Sequence, residues 1–291
     1  MIRLVYDCDN TMGVPNRDVD DGLTILYLAG RKDVDLLGIT TTFGNDSVET
    51  VYNATRGLLD DWGIIVPLAR GGGMNRSSEA AVFLVEQANR YRGELVVLAT
   101  GALSNIHGAF LIDPHFYDNV RMIVVMGGIT KPLVINGVTC NELNFSSDPE
   151  ATYGVMNSAA DMTVITGHLC LNALFGPEEF RLLEERRHIP GFSYILERLY
   201  PWRDLMRKVF KIDGFFNWDV LAAAYVTNQE LFENNRIRIQ STANDLKTGL
   251  LKISAPSENG YELNVPSSLR NINAFNHIVF KAWDYSVKGL F

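Results

Sequence analysis

The first 21 residues contain five aspartates, a residue type whose close spacing suggests chemistry. Two of them follow the apolar run 2–6, which predicts a buried strand, and three precede the helix-like run 23–29. Because each carboxylate raises the cost of ionising the next, such a cluster needs a compensating interaction. A bound cation, a phosphoryl-transfer nucleophile and ordinary helix capping are three possible reasons for it. The members of the cluster are Asp7, Asp9, Asp18, Asp20 and Asp21.

Helix capping explains only part of this cluster. Asp18, Asp20 or Asp21 could cap a helix that starts near Gly22, which is worth about 1 kcal/mol, but the two aspartates at the strand end stay unexplained. An EF-hand calcium loop is also a poor match. The stretch DCDNTMGVPNRD has Met12 where that loop needs glycine, and a strand rather than a helix precedes it.

The segment DCDNT also resembles the first motif of the haloacid-dehalogenase-type phosphatases. That resemblance implies that Asp7 is the nucleophile and a Mg²⁺ ligand, with Asp9 as the acid/base. The same family needs a lysine and a late acidic pair at the end of another strand. Asp60 and Asp61 come too early and lie on a predicted helix. Phosphatase chemistry through Asp7 stays an alternative.

A Ca²⁺ site shared between the strand end and the helix start is the remaining interpretation. Ca²⁺ binds about six to eight oxygen ligands, often carboxylates with backbone carbonyls and water. Two or three aspartates of the cluster and a fourth from a distant segment would provide such a site. The bound cation would offset their mutual repulsion.

The composition argues against two classes of binding surface. The net charge of −8, from 26 basic and 34 acidic residues, argues against a nucleic-acid-binding or anionic-membrane surface. No apolar run reaches the roughly 18 residues of a membrane span, and no signal peptide is recognisable. Three widely separated cysteines predict reduced thiols and a cytoplasmic location. We expect neither a nucleic-acid nor a membrane partner.

Apolar runs alternate with helix-like segments through the first 175 residues. This alternation predicts an α/β fold, a single domain over residues 1–291 with a mostly parallel central sheet flanked by helices. Ligands of such sheets bind beyond the carboxyl ends of the strands. Charged helices with many aromatic residues occupy 175–216, and packing or a mobile helical lid would explain them. Strand-like runs, RIRIQS and GLLKIS among them, return near the C-terminus.

Five motifs in order give the chain a resemblance that covers nearly its whole length. They are DCD with DVDDGLTILYLAG, LLGITTTFGND, LVVLATGALSNI, RMIVVMGG with NGVTCNELNFSSDPEAT, and NWDVLAAAYV. The sequence resembles the inosine-uridine-preferring nucleoside hydrolase family. That resemblance implies calcium-dependent hydrolysis of the N-glycosidic bond of ribonucleosides, a role in purine or pyrimidine salvage, and a homodimer or homotetramer. A nucleoside-binding protein that keeps the metal site without turnover is the alternative from another class.

The resemblance also implies roles for individual residues. It implies four Ca²⁺ ligands, namely Asp9, Asp21, the Thr100 carbonyl and Asp219. It implies substrate contacts by Asp20, Asn45, Met126, Asn136, Glu142 and Asn144, with Asp7 bracing the site from behind. Carboxylate side chains and a bound metal suit this reaction, because carboxylates stabilise an oxocarbenium-like transition state and a metal activates water. Asp9 can then accept the proton of that water.

The group that protonates the departing base is not identifiable from the sequence. Pyrimidine-active and broad members have a histidine where this chain has Trp218, and none of the five histidines stands at another family position. Trp218 could instead stack on a purine, completed by Tyr194, Tyr200 or Trp202, or it could simply pack. The inserted segment 10–17 could reshape the pocket and place Arg17 near a charged substrate, or be a solvated loop.

Overall fold

The computed structural model describes residues 1–158, 160–255 and 259–288. Its strands, numbered in chain order, are β1 Ile2–Cys8, β2 Val34–Thr41, β3 Leu68–Arg70, β4 Leu95–Ala99, β5 Val120–Met126, β6 Leu133–Ile135, β7 Val138–Cys140, β8 Met162–Ile165, β9 Leu174–Phe175, β10 Phe215–Phe216, β11 Phe232–Glu233, β12 Arg236–Ile239, β13 Tyr261–Asn264 and β14 Ser268–Leu269.

The helices surround these strands. They are α1 Asp20–Ala29, α2 Val48–Asp61, α3 Glu79–Arg90, α4 Ser104–Ile112, α5 Phe116–Asn119, α6 Asn144–Ser147, α7 Pro149–Met156, α8 Gly167–Cys170, α9 Pro177–Glu184, α10 Pro190–Val209, α11 Trp218–Thr227, α12 Ala243–Leu246 and α13 Ile272–Lys288, with a short 3₁₀ helix at Gln229–Leu231.

Eight strands form the central sheet in the order β12-β13-β8-β5-β4-β1-β2-β3. Every neighbouring pair is parallel except β12 with β13 at one edge. The chain is therefore a single α/β domain with a mostly parallel sheet flanked by helices, as the sequence predicts. Parallel pairing brings the carboxyl ends of β1, β4, β5 and β8 to one edge, and the segments that follow them carry the predicted site.

Alternate residues of the central strands enter two hydrophobic layers. On one face Leu4 and Tyr6 pack with α1, α11 and α13; on the other Val5 packs with α3, α4 and α7. Both faces are covered, which explains why the strand sequences are nearly continuous Val, Ile and Leu. Helices α1 and α11 pack side by side on the first face.

Segment 175–216 packs into the first layer. Phe180 of α9 and Phe192 of α10 are fully buried, while Trp202 of α10 is only partly covered. The packing explains most of the aromatic residues in this segment. Movement as a lid stays a prediction.

The C-terminal strand expectation is partly wrong. RIRI forms β12, but GLLKIS, which lies entirely in the described part, forms no strand. Leu250 and Ile253 make only isolated bridges, to Ile129 and Ile239, and β13 occupies the place beside β8 instead. No helix among the described residues is long and apolar enough to cross a membrane.

Candidate active site

A cavity of about 190 Å³ opens at the carboxyl edge of the sheet. Its polar lining consists of Asp18, Asp20, Asn45, Thr100, Asn141, Glu142, Asn144 and Asp219. Its apolar lining consists of Met126, Ile129, Leu133, Ile135, Cys140, Leu143, Gly167, Trp202, Met206, Phe210, Ile212, Phe216 and Trp218. The cavity therefore has a polar part and an apolar, aromatic part.

Three carboxylates meet where α1 and α11 begin. Asp20, Asp21 and Asp219 are buried, and one oxygen of each lies within 4.8 Å of the others. Asp20 and Asp21 occupy the first turn of α1, Asp219 the first turn of α11, and the backbone N–H of Asp219 donates to Asp20 Oδ2 at 3.1 Å. The partial positive charges of both helix N-termini favour these anions. Val19 precedes α1 without a capping side chain, and Asp18 accepts the Val19 N–H at 2.7 Å, so capping accounts for Asp18 at most.

Asp21 has one oxygen held by the protein and one left open. Tyr6 and Thr100 hydroxyls donate to Oδ1 at 2.8 and 2.7 Å. The other oxygen, Oδ2, is buried with no hydrogen-bond partner among the described residues. Leaving a buried carboxylate oxygen unpaired is costly, which indicates a missing ligand there.

Asp9 adjoins this group from the end of β1. Its carboxylate accepts the Asn45 backbone N–H at 2.6 Å and the Asn45 side-chain amide at 3.2 Å. Gly44, with φ of +154°, permits this approach, because a Cβ there would lie 2.1 Å from Asp9 Oδ2. The sequence motif FGND thus positions Asn45 against Asp9.

Burial raises the pKa of every carboxyl in this group. For Asp9 and Asp219 the pKa lies well above the ordinary value, first because of burial and then because of neighbouring aspartates. Burial likewise raises the pKa of Asp20 and Asp21. Concentrated negative charge that water cannot solvate is an environment that a divalent cation relieves.

Asp7 lies behind the group and outside the cavity. It is fully buried, and Oδ1 accepts from Thr40 Oγ1 at 2.5 Å and from Asn105 Nδ2 at 2.8 Å. Burial raises the pKa of Asp7 to about 7, against the opposing effect of these two hydrogen bonds. Neither Asp7 nor Asp9 lines the cavity, so the cavity lining lends no support to the phosphatase roles predicted for this pair. Asn105, which anchors Asp7, was not anticipated from the sequence.

Glu142 and Asn144 line the opposite wall of the cavity. Glu142 accepts backbone N–H groups of Gly128, Phe145 and Ser146 at 3.1, 2.8 and 2.9 Å. Asn144 donates to the Met126 carbonyl at 3.0 Å, and Met126 itself lines the cavity. These residues come from the turn that follows β7, so one short segment positions both.

Asn136 lies elsewhere. It is exposed at the tip of the β6–β7 hairpin, where its side chain donates to the Phe210 carbonyl at 3.0 Å, and it is not part of the cavity lining. This contact ties the hairpin to the segment that follows α10. The predicted substrate contact of Asn136 stays a prediction.

The aromatic end of the cavity contains Trp218 at the start of α11. Its ring centroid lies 5.2 Å from that of Phe216, at an interplanar angle of 58°. Of the three suggested stacking partners, only Trp202 lines the cavity. Tyr194 donates to Asp61 instead, and Tyr200 stacks on Phe180. None of the five histidines, all of them described, lines the cavity.

The inserted segment 10–17 folds against the protein. Asn10, Thr11 and Met12 are buried, and the Thr11 hydroxyl donates to the Asp18 carbonyl at 3.0 Å. Arg17 pairs with Asp46 at 3.0 Å and does not line the cavity. The segment ends by placing Asp18 in the cavity wall. Sequence reasoning counted Asp18 in the cluster but gave it no role in the site.

The donor set fits a hard divalent cation. Carboxylate oxygens are the ligands that Ca²⁺ and Mg²⁺ prefer, and the open oxygen of Asp21 lies among them. No cysteine or histidine joins the three-residue group among the described residues, which argues against zinc.

Comparison with known proteins identifies the family. The family model described as "Inosine-uridine preferring nucleoside hydrolase" matches residues 4–276. The chain belongs to this family. Its members are N-glycosyl hydrolases, and the chain is accordingly a nucleoside hydrolase.

Relatives and solved structures agree with this assignment. The inosine-uridine preferring nucleoside hydrolase of Leishmania major is 26% identical over 281 residues, covering 85% of this chain and 86% of that protein. A plant nucleoside hydrolase structure has a TM-score of 0.84 at 17% identity, covering 97% and 98% of the two chains. A purine-preferring ribonucleoside hydrolase from Gardnerella vaginalis also has a TM-score of 0.84, at 20% identity over 98% and 99%. The structural likeness shows the shared fold.

Proposed function

We propose that this nucleoside hydrolase is calcium-dependent and splits ribonucleosides into free base and ribose at the described cavity. The observation that carries the proposal is the approach of the Asp20, Asp21 and Asp219 oxygens within 4.8 Å, beside an unpartnered Asp21 oxygen. The ion would be held by Asp9, Asp21, Asp219 and the Thr100 carbonyl. When bound, it supplies a water of lowered pKa and a fixed charge for the ribose hydroxyls.

The residues around that ion have separate tasks. Asp9 accepts the proton of the attacking water, since its carboxylate is fixed in place by Asn45. Asp20 binds a ribose hydroxyl with Asn45 nearby, and Asn144 reaches the sugar from the opposite wall. The ionised carboxylates near the sugar stabilise the positive charge that develops as the C–N bond breaks.

The remaining cavity residues hold the nucleoside in register. Glu142 accepts a hydrogen bond from the 5′-hydroxyl and Met126 lies beneath the sugar, and both side chains line the cavity. Asp7 braces β1 through Thr40 and Asn105. This division assigns ribose recognition to the polar part of the cavity and leaves the aromatic part for the base.

Trp218 is the proposed determinant of base preference among neutral nucleosides. An indole face stacks better on a two-ring purine than on a single pyrimidine ring. One similar solved structure is named as purine-preferring, whereas the Leishmania relative is named for inosine and uridine. A purine preference therefore rests on Trp218. The homo-oligomer, the cytoplasmic location and a part in nucleoside salvage stay predictions of the same kind.

Release of reducing sugar tests the proposal. Purified protein is assayed with inosine, adenosine, uridine and cytidine after chelation and after addition of Ca²⁺ or Mg²⁺. We expect ribose release that chelation abolishes and that Ca²⁺ restores better than Mg²⁺. Ribose release that persists without metal would contradict the calcium dependence. Absence of release from every nucleoside, with Ca²⁺ bound, would favour a binding protein.

A further inference from the structure

The charged side chains lining the cavity are all acidic. Among the described residues they are Asp18, Asp20, Glu142 and Asp219, and neither lysine, arginine nor histidine lines it. The three N–H groups that donate to Glu142 leave it only an acceptor role toward the protein. Asp18 and Glu142 lie outside the proposed metal ligands, so the wall beyond the ion still carries acidic side chains with no basic side chain beside them in the cavity lining. The cavity therefore has a negative potential, which attracts a cationic ligand.

The apolar part of the same cavity adds a second preference for cations. Four aromatic rings line it, those of Trp202, Phe210, Phe216 and Trp218. The negative face of an aromatic ring attracts a cation, most strongly for tryptophan and where water is excluded. A flat base with a positive charge would satisfy both the aromatic rings and the acidic wall.

The residues that line the cavity give little assistance to the departure of a neutral base. A purine or pyrimidine leaves most readily when a group donates a proton to it, and no histidine lines the cavity to serve as that donor. A base that is already positive at the glycosidic nitrogen has no such need. Breaking its C–N bond cancels the charge and releases a neutral molecule.

We propose that the cavity is selective for ribonucleosides whose base carries a fixed positive charge, the pyridinium ribosides, over neutral nucleosides. This substrate class rests on the proposed hydrolytic function. Water oxygen bonds to C1′ as the C1′–N bond breaks, and the bonding electron pair moves to the ring nitrogen. The water proton passes to Asp9 and then to solvent. The products are ribose, a neutral pyridine and one proton.

Steady-state kinetics of the calcium-loaded protein tests the selectivity. Nicotinamide riboside is the pyridinium probe, and inosine and uridine are the neutral comparators. We expect kcat/KM for nicotinamide riboside to be at least about tenfold above both. If inosine or uridine equals or exceeds it, the proposal is overturned while the hydrolytic function stands. If no nucleoside yields ribose, the hydrolytic function itself fails.

A matched pair of inhibitors separates charge recognition from the intrinsic reactivity of pyridinium ribosides. N-methylnicotinamide carries the fixed charge and nicotinamide has nearly the same shape without it. Competing with whichever nucleoside is hydrolysed, the cation should bind about tenfold more tightly. Equal inhibition by the two compounds would overturn the proposal even if nicotinamide riboside is the faster substrate.

The Asp18→Asn variant tests the acidic wall. Asp18 lines the cavity and is neither a proposed metal ligand nor a proposed ribose contact. Its neutralisation should lower the ratio of kcat/KM for nicotinamide riboside to kcat/KM for inosine about fivefold. The matched control is Asp118→Asn, since Asp118 is an exposed residue of α5 outside the cavity lining. That control should leave the ratio unchanged. An unchanged ratio in the Asp18→Asn variant as well would overturn the role of the acidic wall.

Discussion

Several interactions fix the orientation of the Asp9 side chain. It follows β1 and receives two hydrogen bonds from Asn45. Its orientation is therefore set by backbone geometry at Gly44 as much as by its own position in the sequence. A carboxylate held in one orientation can serve both as a metal ligand and as a base, because both roles require a fixed side chain.

Replacement of Asp9 by asparagine should abolish turnover. The amide keeps the size of the side chain but loses its basicity and much of its affinity for metal, so kcat should fall by at least about 10²–10⁴-fold. The initial rate of ribose release at saturating Ca²⁺ measures this loss. Asp118→Asn, the same change at an exposed site, should leave the rate unaltered. A kcat near that of the native protein would contradict the base role.

Trp218 should matter most for purine nucleosides. Its removal by Trp218→Ala eliminates base stacking, which is worth about 1–3 kcal/mol, so kcat/KM for inosine should fall about tenfold or more and that for uridine less. Trp218→Phe retains a ring and should recover part of the difference. Equal losses for inosine and uridine in the alanine variant would reduce Trp218 to a packing residue.

At the scale of elements, the two helix N-termini of α1 and α11 create the site. Asp21 and Asp219 are 198 positions apart in the chain, yet the packing of α1 on α11 brings their carboxylates together. The apolar sequences of both helices, buried along nearly their whole length, enforce that packing. The carboxylate cluster therefore depends on the packing of the core.

The buried residue Asp148 connects three elements on the other face of the sheet. Asp148 is fully buried, pairs with Arg76 at 2.8 Å, and accepts from Ser104 Oγ at 2.6 Å and from the Ala151 N–H of α7 at 3.1 Å. Burial alone would raise its pKa, but Arg76 and Ser104 hold the pKa of Asp148 below its ordinary value. The ionised form thus joins α4, α7 and the segment before α3.

The pH dependence of the free energy of unfolding tests the ion pair between Arg76 and Asp148. A depressed pKa means that Asp148 stabilises the native state above about pH 4 and loses that contribution as the pH falls through its native pKa. Arg76→Met should lower the free energy of unfolding by about 1–3 kcal/mol at pH 7, and by less as the pH falls below 4. Urea titrations at both pH values measure this, with Arg92→Met as the exposed control. A deficit independent of pH would contradict the ion-pair account.

The sequence predicted which segments form strands and helices better than it predicted which segments pair or pack together. The alternation of apolar runs and helix-like segments predicted the strands and helices of the first 175 residues, and in the structure Ser47 and Ser78 cap α2 and α3. The strand β13 was missed because its short sequence, YELN, has little apolar character, and its pairing with β8 is a long-range choice. Asn136 fits the family spacing, but the tip of its hairpin lies against the end of α10.

At the scale of the whole molecule, negative charge is concentrated in one place. The net charge of −8 includes the buried Asp9, Asp20, Asp21 and Asp219, which meet at the carboxyl edge of the sheet. Sequence alone indicated this cluster because the five N-terminal aspartates follow a predicted strand or precede a predicted helix. It could not indicate the cavity contribution of Asp18, because that depends on how segment 10–17 folds against its surroundings.

Metal removal should therefore destabilise the entire chain, by an amount that depends on pH. Raised native pKa values mean that the metal-free protein binds more protons folded than unfolded, so its stability falls as the pH rises above about 4. Bound Ca²⁺ replaces those protons. The Tm difference between calcium-loaded and chelated protein should consequently be larger at pH 8 than at pH 5.

Differential scanning fluorimetry at fixed ionic strength measures both temperatures. At Ca²⁺ near 100 times its dissociation constant, binding adds about 2.7 kcal/mol, which corresponds to a rise in Tm of about 4–5 °C for a chain of this size. The Asp219→Asn variant, which lacks one proposed ligand, should show a smaller shift at pH 8, whereas Asp118→Asn should match the native protein. A Tm that is the same with Ca²⁺ and with chelator at pH 8 would mean that the carboxylates meet at the cavity without binding the ion, and calcium dependence would have to be abandoned.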